Sequence, residues 1–396
     1  DDLLFDGTEI GLTEPQGTGT DPMAGHFFSD SDPSTNTDPC DSDTDDDGIG
    51  DGAEDADLDG MVDATETDPN DHDTDNDLLP DGLEIGLTAS TNDPGTNEAS
   101  PNWRADSHPA STTDPLDDDS DDDGLMDGYD PSQPSRGEDV DRDGQKDATE
   151  SDPNDHDTDG DGIFDGTERG LTTPAPGTNL AAGHYIADAD PATVTLPYDT
   201  DTDDDGINDG VEDLDKDGRM STVAGSLETN AASHDTDGDG LPDGLENGYN
   251  EATNDPGTNE ASPNWRADLD QSTRTDPRDW DSDGDGRSDG AEDANQNGRV
   301  DANEADPLDR DTDDDGLLDG YRWEWTGDSD GDGTVNVRDP DSDNDGLPDG
   351  LEAGIDTPHS AGTSDWLGIA YLGTDTSSPF YAADADSATI TDPTRA

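Results

Sequence analysis

The chain has 396 residues, of which 109 are Asp or Glu and 16 are Lys or Arg, leaving a formal net charge of −93. Leu, Ile, Val and Phe make up about 12% of it, too little apolar surface for a bare polypeptide of this charge to offset its conformational entropy, which excludes an ordinary globular enzyme core. The charge also repels phosphate and so excludes nucleic acid, and no apolar stretch of about 18 residues is present to span a membrane. Cys40 is the single cysteine, so an internal disulfide framework and a thiolate zinc cluster are excluded too. Cations are the partners the charge calls for.

Self-similarity organises the chain. Residues 92–106 read NDPGTNEASPNWRAD and the same letters return at 254–268, while DGTEIGLT at 6–13 returns as DGTERGLT at 165–172. The period predicts repeat units at 1–80, 81–164, 165–242, 243–318 and 319–396. The first and third carry an insert with Ala-Gly-His, the second and fourth one with Asn-Trp-Arg-Ala-Asp, and the last is a short repeat followed by a C-terminal insert.

Inside each unit runs a twelve-residue acidic motif. Residues 43–54 place Asp43, Asp45 and Asp47 at positions 1, 3 and 5, Gly48 at 6, Asp51 at 9 and Glu54 at 12. Calcium takes six to eight hard oxygens at about 2.3–2.6 Å, so alternating acids can wrap one ion. Glycine at 6 permits the turn that returns the carbonyl of position 7 and the acid at 12 to the metal. The motif repeats at once in Asp55, Asp57, Asp59, Asp63 and Glu66, and again in Asp73, Asp75, Asp77, Asp81 and Glu84, with Leu78 in place of glycine. Asp119, Asp121, Asp123 and Asp127 close on Asp130; Asp139, Asp141, Asp143, Asp147 and Glu150 come next. Asp157, Asp159, Asp161, Asp165 and Glu168 complete that unit's set.

Asp201, Asp203, Asp205, Asp209 and Glu212 abut Asp213, Asp215, Asp217 and a delayed Glu228. Asp235, Asp237, Asp239, Asp243 and Glu246 precede Asp281, Asp283, Asp285, Asp289 and Glu292, which meet Asp293, Asn295, Asn297, Asp301 and Glu304. After Asp311, Asp313, Asp315 and Asp319 the twelfth residue is Arg322, so this loop is expected to be the weakest or to borrow a ligand. Asp328, Asp330, Asp332, Asn336 and Asp339, then Asp341, Asp343, Asp345, Asp349 and Glu352, end the series. At the start, Asp2, Asp6 and Glu9 align with Asp161, Asp165 and Glu168. A merely solvating or disordered acidic stretch would need no glycine at position 6.

The consensus is that of an EF-hand loop, but Glu54 meets Asp55, Glu212 meets Asp213 and Glu292 meets Asp293 with no room for flanking helices. The expected fold is mostly irregular: tandem calcium-wrapped Asp-rich loops with one-turn helices and minor short strands in the inserts. With their Thr-Asp-Pro connectors, as at 67–69, the loops resemble cysteine-free thrombospondin type 3 repeats over residues 43–84, 119–168, 201–246 and 281–352. The resemblance implies a polypeptide wound around a string of calcium ions as an elongated repeat rod, with the loop acids as ligands. Residues 328–339 also resemble a dockerin loop, although Pro340 stands where dockerin needs a helix.

Trp103 and Trp265 lie in the inserts and are expected to pin them onto neighbouring loops, with glycan or protein stacking as the alternative. The pairs Asp30/Asp32, Asp188/Asp190 and Asp384/Asp386 recur with the repeat. Recurrence suits extra metal or cap ligands better than the single acid and base of a glycosidase. No HExxH, GxSxG or phosphate-cradling loop is present.

The expected function is non-enzymatic: a calcium-stabilised rod, stalk or filament outside the cell or on its surface, where calcium reaches the roughly 10⁻⁴–10⁻³ M such modules need. The alternatives are a surface adhesin and a spacer beside a secreted enzyme's catalytic domain. Residues 391–396 align with connector 37–42, so the repeat is expected to continue, in a longer polypeptide or as a head-to-tail homopolymer.

Overall fold

The α-helices among the described residues are single turns, each starting at the ninth position of a loop. The computed structural model describes residues 3–19, 21–90, 95–129, 136–223, 226–252, 257–322 and 324–395; Asp2 and Asp130 lie outside them. The described helices are α1 (Asp6–Glu9), α2 (Asp51–Glu54), α3 (Asp81–Glu84), α4 (Asp165–Glu168), α5 (Asp209–Glu212), α6 (Asp243–Glu246), α7 (Asp289–Glu292) and α8 (Asp349–Glu352). Each spells Asp-Gly-x-Glu.

The local sequence stops them after one turn. Pro80 enters α3 extended, at φ −71° and ψ 139°. Past the helix, Gly86 turns left-handed at φ +83°, its N–H bonds the Leu83 carbonyl at 2.9 Å and Leu87 N–H bonds the Gly82 carbonyl at 2.9 Å. This paired closure satisfies the last carbonyls and prevents propagation. The ends of α1, α4, α6 and α8 repeat it, whereas α2, α5 and α7 run straight into Asp55, Asp213 and Asp293, which open the next loop. Apart from short 3₁₀ turns, the only other regular element among the described residues is a two-stranded antiparallel ribbon, β1 (Gly362–Thr363) with β2 (Ala370–Tyr371).

Apolar burial is sparse and periodic. Ile49, Leu79, Leu125, Ile163, Ile207, Leu241 and Leu317 are buried at position 7 of their loops, and Leu83 and Leu245 at position 11. Among the described residues, buried polar and acidic side chains outnumber buried apolar ones several-fold. Hydrophobic burial, at about 25 cal/mol per Å², is therefore a minor force here. The chain divides into two units, Asp1–Tyr198 with Lys216–Gly218, and Asp199–Asp215 with Arg219–Ala396. No described helix is long and apolar enough to cross a membrane.

Candidate metal centres

Each loop first folds on its own carboxylates. Asp43 Oδ2 accepts the Gly48 N–H at 3.1 Å, Asp45 Oδ1 the Asp47 N–H at 3.2 Å and Asp47 Oδ1 the Ile49 N–H at 2.7 Å. These are Asx-type turns, in which short acids replace secondary-structure hydrogen bonds. The ninth-position acid is used differently. Asp51 receives the N–H and the hydroxyl of Thr44, both at 2.7 Å, and Asp81, Asp127, Asp165 and Asp243 hold the second-position Thr or Ser of their own loops in the same way.

The loops then interlock in chain order. Gly82 N–H, at position 10, reaches back to Asp47 Oδ2 at 2.9 Å. A Cβ on Gly82 would lie 2.2 Å from the Asp47 carbonyl oxygen, so no other residue fits. Gly128 bonds Asp77 at 2.6 Å and Gly166 bonds Asp123 at 2.9 Å; in the second unit Gly244 bonds Asp205 at 2.8 Å and Gly320 bonds Asp285 at 2.6 Å. The ninth-position acid is thereby delivered to an earlier loop, the directly preceding one for Asp127 and one across an intervening loop for Asp81, Asp165, Asp243 and Asp319. Asp47, Glu54 and Asp81 bring carboxylate oxygens within 4.8 Å of one another, as do Asp77, Glu84 and Asp127. Glu212 faces Asp203, Asp205 and Asp243; Glu246 faces Asp237, Asp239 and Asp289; Glu292 faces Asp283, Asp285 and Asp319. Within single loops, Asp43, Asp45 and Asp47, and Asp73, Asp75 and Asp77, form groups as tight.

The cage of residues 119–130 contains a residue that the motif count missed. Glu138 is fully buried and faces Asp121, Asp123 and Asp165, and its N–H bonds the Met126 and Gly128 carbonyls at 3.0 Å each. It occupies the place that Glu54 holds in its own cage. The signal was in the sequence: Glu138 directly precedes Asp139, as Glu54 precedes Asp55.

Among the described residues, the acids of the cages around Glu54, Glu84, Glu212 and Glu246 make no ion pair. Glu54, Glu84, Glu212 and Glu246 each give one oxygen to a connector threonine, Thr67 (3.1 Å), Thr113 (2.9 Å), Thr229 (2.7 Å) and Thr275 (2.9 Å). Their Oε2 atoms are buried without a hydrogen-bond partner, and so are the Oδ2 atoms of Asp45, Asp75, Asp121, Asp203, Asp237 and Asp283. Burial, reinforced by the neighbouring carboxylates, pushes Asp45 up to about 9, and Glu54, Asp203 and Asp283 to about 10. Such groups ionise together only around a cation. Oxygens within 4.8 Å of one another span about twice a calcium–oxygen distance, and the donor set is all oxygen, as hard cations prefer.

The loops that follow directly are shallower. Asp55, Asp57 and Glu66 form a metal-sized group, yet Asp57 and Asp63 are exposed and Glu66 accepts the N–H groups of Asp57 at 3.3 Å and Asp63 at 3.2 Å. Glu150 does the same with Val140 and Asp147, both at 3.0 Å, and Glu304 with Asn295 at 3.2 Å and Asp301 at 3.1 Å. Asp328, Asp332 and Asp345 are exposed, and Asn336 stands in for a ninth-position acid by accepting the Ser329 N–H at 3.0 Å.

The inserts clamp the cages. The Thr96, Thr178 and Thr258 hydroxyls donate to Asp43, Asp119 and Asp201, and Thr374 to Asp311 at 2.5 Å. Trp103 lies on Gly48 and Trp265 on Gly206, where a Cβ would fall 2.1 Å from the indole ring; φ is +101° and +98° at these glycines. In these two loops position 6 needs glycine for conformation and for contact, whereas Leu78 takes the same place at φ +78°. His184 Nδ1 meets the Asp121 carbonyl at 2.8 Å while its ring stacks on His156. The first acid of the insert pairs Asp30/Asp32 and Asp188/Asp190 is buried, whereas Asp32 caps its own turn through Ser34 at 2.7 Å. Asp106 and Asp268 are the buried equivalents in the Trp-bearing inserts, and the shared Arg-Ala-Asp was the overlooked clue.

No protein-family model matches this chain, and neither a curated protein nor a solved structure does.

Proposed function

We propose that this chain is a calcium-stabilised structural repeat protein, forming an extended stalk or filament outside the cell and catalysing nothing. The observation that supports it is the set of buried carboxylate cages around Glu54, Glu84, Glu212 and Glu246, each assembled from two loops, with inward oxygens that have no hydrogen-bond partner and acids that make no ion pair among the described residues. A cation in such a cage joins one loop to the next, so metal binding is folding free energy. Calcium is the reading because the donors are all oxygen, the spans suit its radius and the glycine-hinged loops adapt to an irregular shell. Because each cage borrows an acid from a later loop, an array of this kind is open-ended and can be lengthened by loops of the same or another copy.

The packing of Trp103 and Trp265 on loop glycines favours clamps over glycan platforms. Calorimetric titration of the chelated chain, with magnesium as the comparison, tests the cation. Calcium binding near or below millimolar, with weaker magnesium binding, is expected. No calcium binding up to 10 mM, roughly ten times the extracellular module range, would overturn the proposal.

A further inference from the structure

One cage has its cation built in. Arg322 stands at the twelfth position, where the neighbouring loops carry Glu292 and Glu352, and its side chain is buried. Its Nη2 pairs with Asp313 and lies 3.0 Å from Asp315, and its Nη1 lies 2.9 Å from Asp349. These are the third- and fifth-position acids of its own loop and the ninth-position acid of the loop 341–352, matching Asp283, Asp285 and Asp319 around Glu292.

The backbone is changed to suit. Where the neighbouring loops form one α-turn, Asp319–Tyr321 is a 3₁₀ turn, and Arg322 leaves it extended at φ −72°, ψ 137°. The hydrogen-bond polarity is reversed as well. Glu246 and Glu352 accept from Thr275 and Thr391, whereas Arg322 donates to the Asn336 carbonyl at 2.9 Å. The formal charge is conserved. Four carboxylates with one divalent ion carry −2, and three carboxylates with one guanidinium also carry −2.

We propose that the Arg322 guanidinium takes the place of the metal in the Asp313–Asp315–Asp349 cage, so that this joint binds no ion and stays closed when calcium is withdrawn. It is then the anchor from which calcium-dependent order spreads in its unit. The inference rests on the calcium reading of the other cages.

The test uses the full chain. Bound calcium is counted by native mass spectrometry in the wild type and in Arg322→Glu, which restores the acidic consensus; one additional ion is expected, and an unchanged count overturns the proposal. Because Arg322→Glu can fail to fold, hydrogen exchange of the wild type in EGTA is read as well. Amides of residues 311–322 and 341–352 should stay at least tenfold better protected than those of residues 201–212 and 235–246. Equal loss of protection in both joints would overturn the proposal. A wild type that binds no calcium would defeat the calcium reading, while the exchange comparison would still decide the Arg322 joint.

Discussion

The loops ending in an Asp-Gly-x-Glu turn and the loops that follow them share one consensus, yet they close on different partners. Glu212 is 1% exposed and faces Asp203, Asp205 and Asp243, whereas Glu150 gives one oxygen to the Val140 N–H and the other to the Asp147 N–H. The difference comes from the neighbour. The first kind of loop receives the ninth-position acid of a later loop of its own kind; in the second, an insert backbone arrives instead, as Ser107 N–H on the Asp143 carbonyl at 3.0 Å. A ligand consensus therefore defines a loop, and its depth as a metal site is set by the segment packed against it.

Acidity in the absence of metal should give the largest contrast. In the chelated chain the cage carboxylates, raised to about 9 for Asp45 and about 10 for Glu54 and Asp203, compare with about 6 for Asp139 in a shallow loop. The folded state then holds protons that the unfolded chain, titrating near 4, has lost. Their stabilising contribution is complete below pH about 4 and disappears as pH rises through about 9 to 10. The chelated chain, largely expanded at pH 8, should become more resistant to urea as its cages close on protonation toward pH 5. The calcium-loaded chain should become less so, because protons compete with the metal. Urea midpoints with parallel pH slopes in the two states would break the comparison.

Single substitutions sharpen it. Glu212→Gln should remove one tight calcium ion from the native mass spectrum, while Glu150→Gln should leave the tight count unchanged and cost about 1 kcal/mol through one lost backbone hydrogen bond. Gly244→Ala places a Cβ 2.1 Å from the Asp205 carbonyl oxygen and should cost about 1–3 kcal/mol in calcium. Gly238→Ala, with open space around it and φ +80°, should cost only about 1 kcal/mol of backbone strain. Thr275→Val removes the hydroxyl that orients Glu246 and should weaken that cage's calcium affinity about tenfold by calorimetry.

The loops were legible because calcium ligation imposes a local spacing, and one-turn helices were legible because Glu54 and Asp55 leave no room for more. The cages were not legible, since Asp81 reaches Asp47 across an intervening loop and nothing local in the motif announces that partnership. Glu138 escaped because the chain detours before supplying it, although its adjacency to Asp139 repeats that of Glu54 to Asp55. Arg322 looked like a defect in one loop; the acids of two loops, brought together, show what it neutralises. The Thr-Asp-Pro stretches read as connectors, yet Thr67, Thr113 and Thr275 hold the cage glutamates.

Small-angle X-ray scattering of the chain through a calcium titration, repeated over a concentration series, tests most directly whether cations fold this polypeptide. At pH 8 the account predicts an expanded chain in EGTA, ordered only around the Arg322 joint, that becomes a thin, stiff scatterer near millimolar calcium and lengthens with concentration. A scattering profile unchanged by calcium would contradict it.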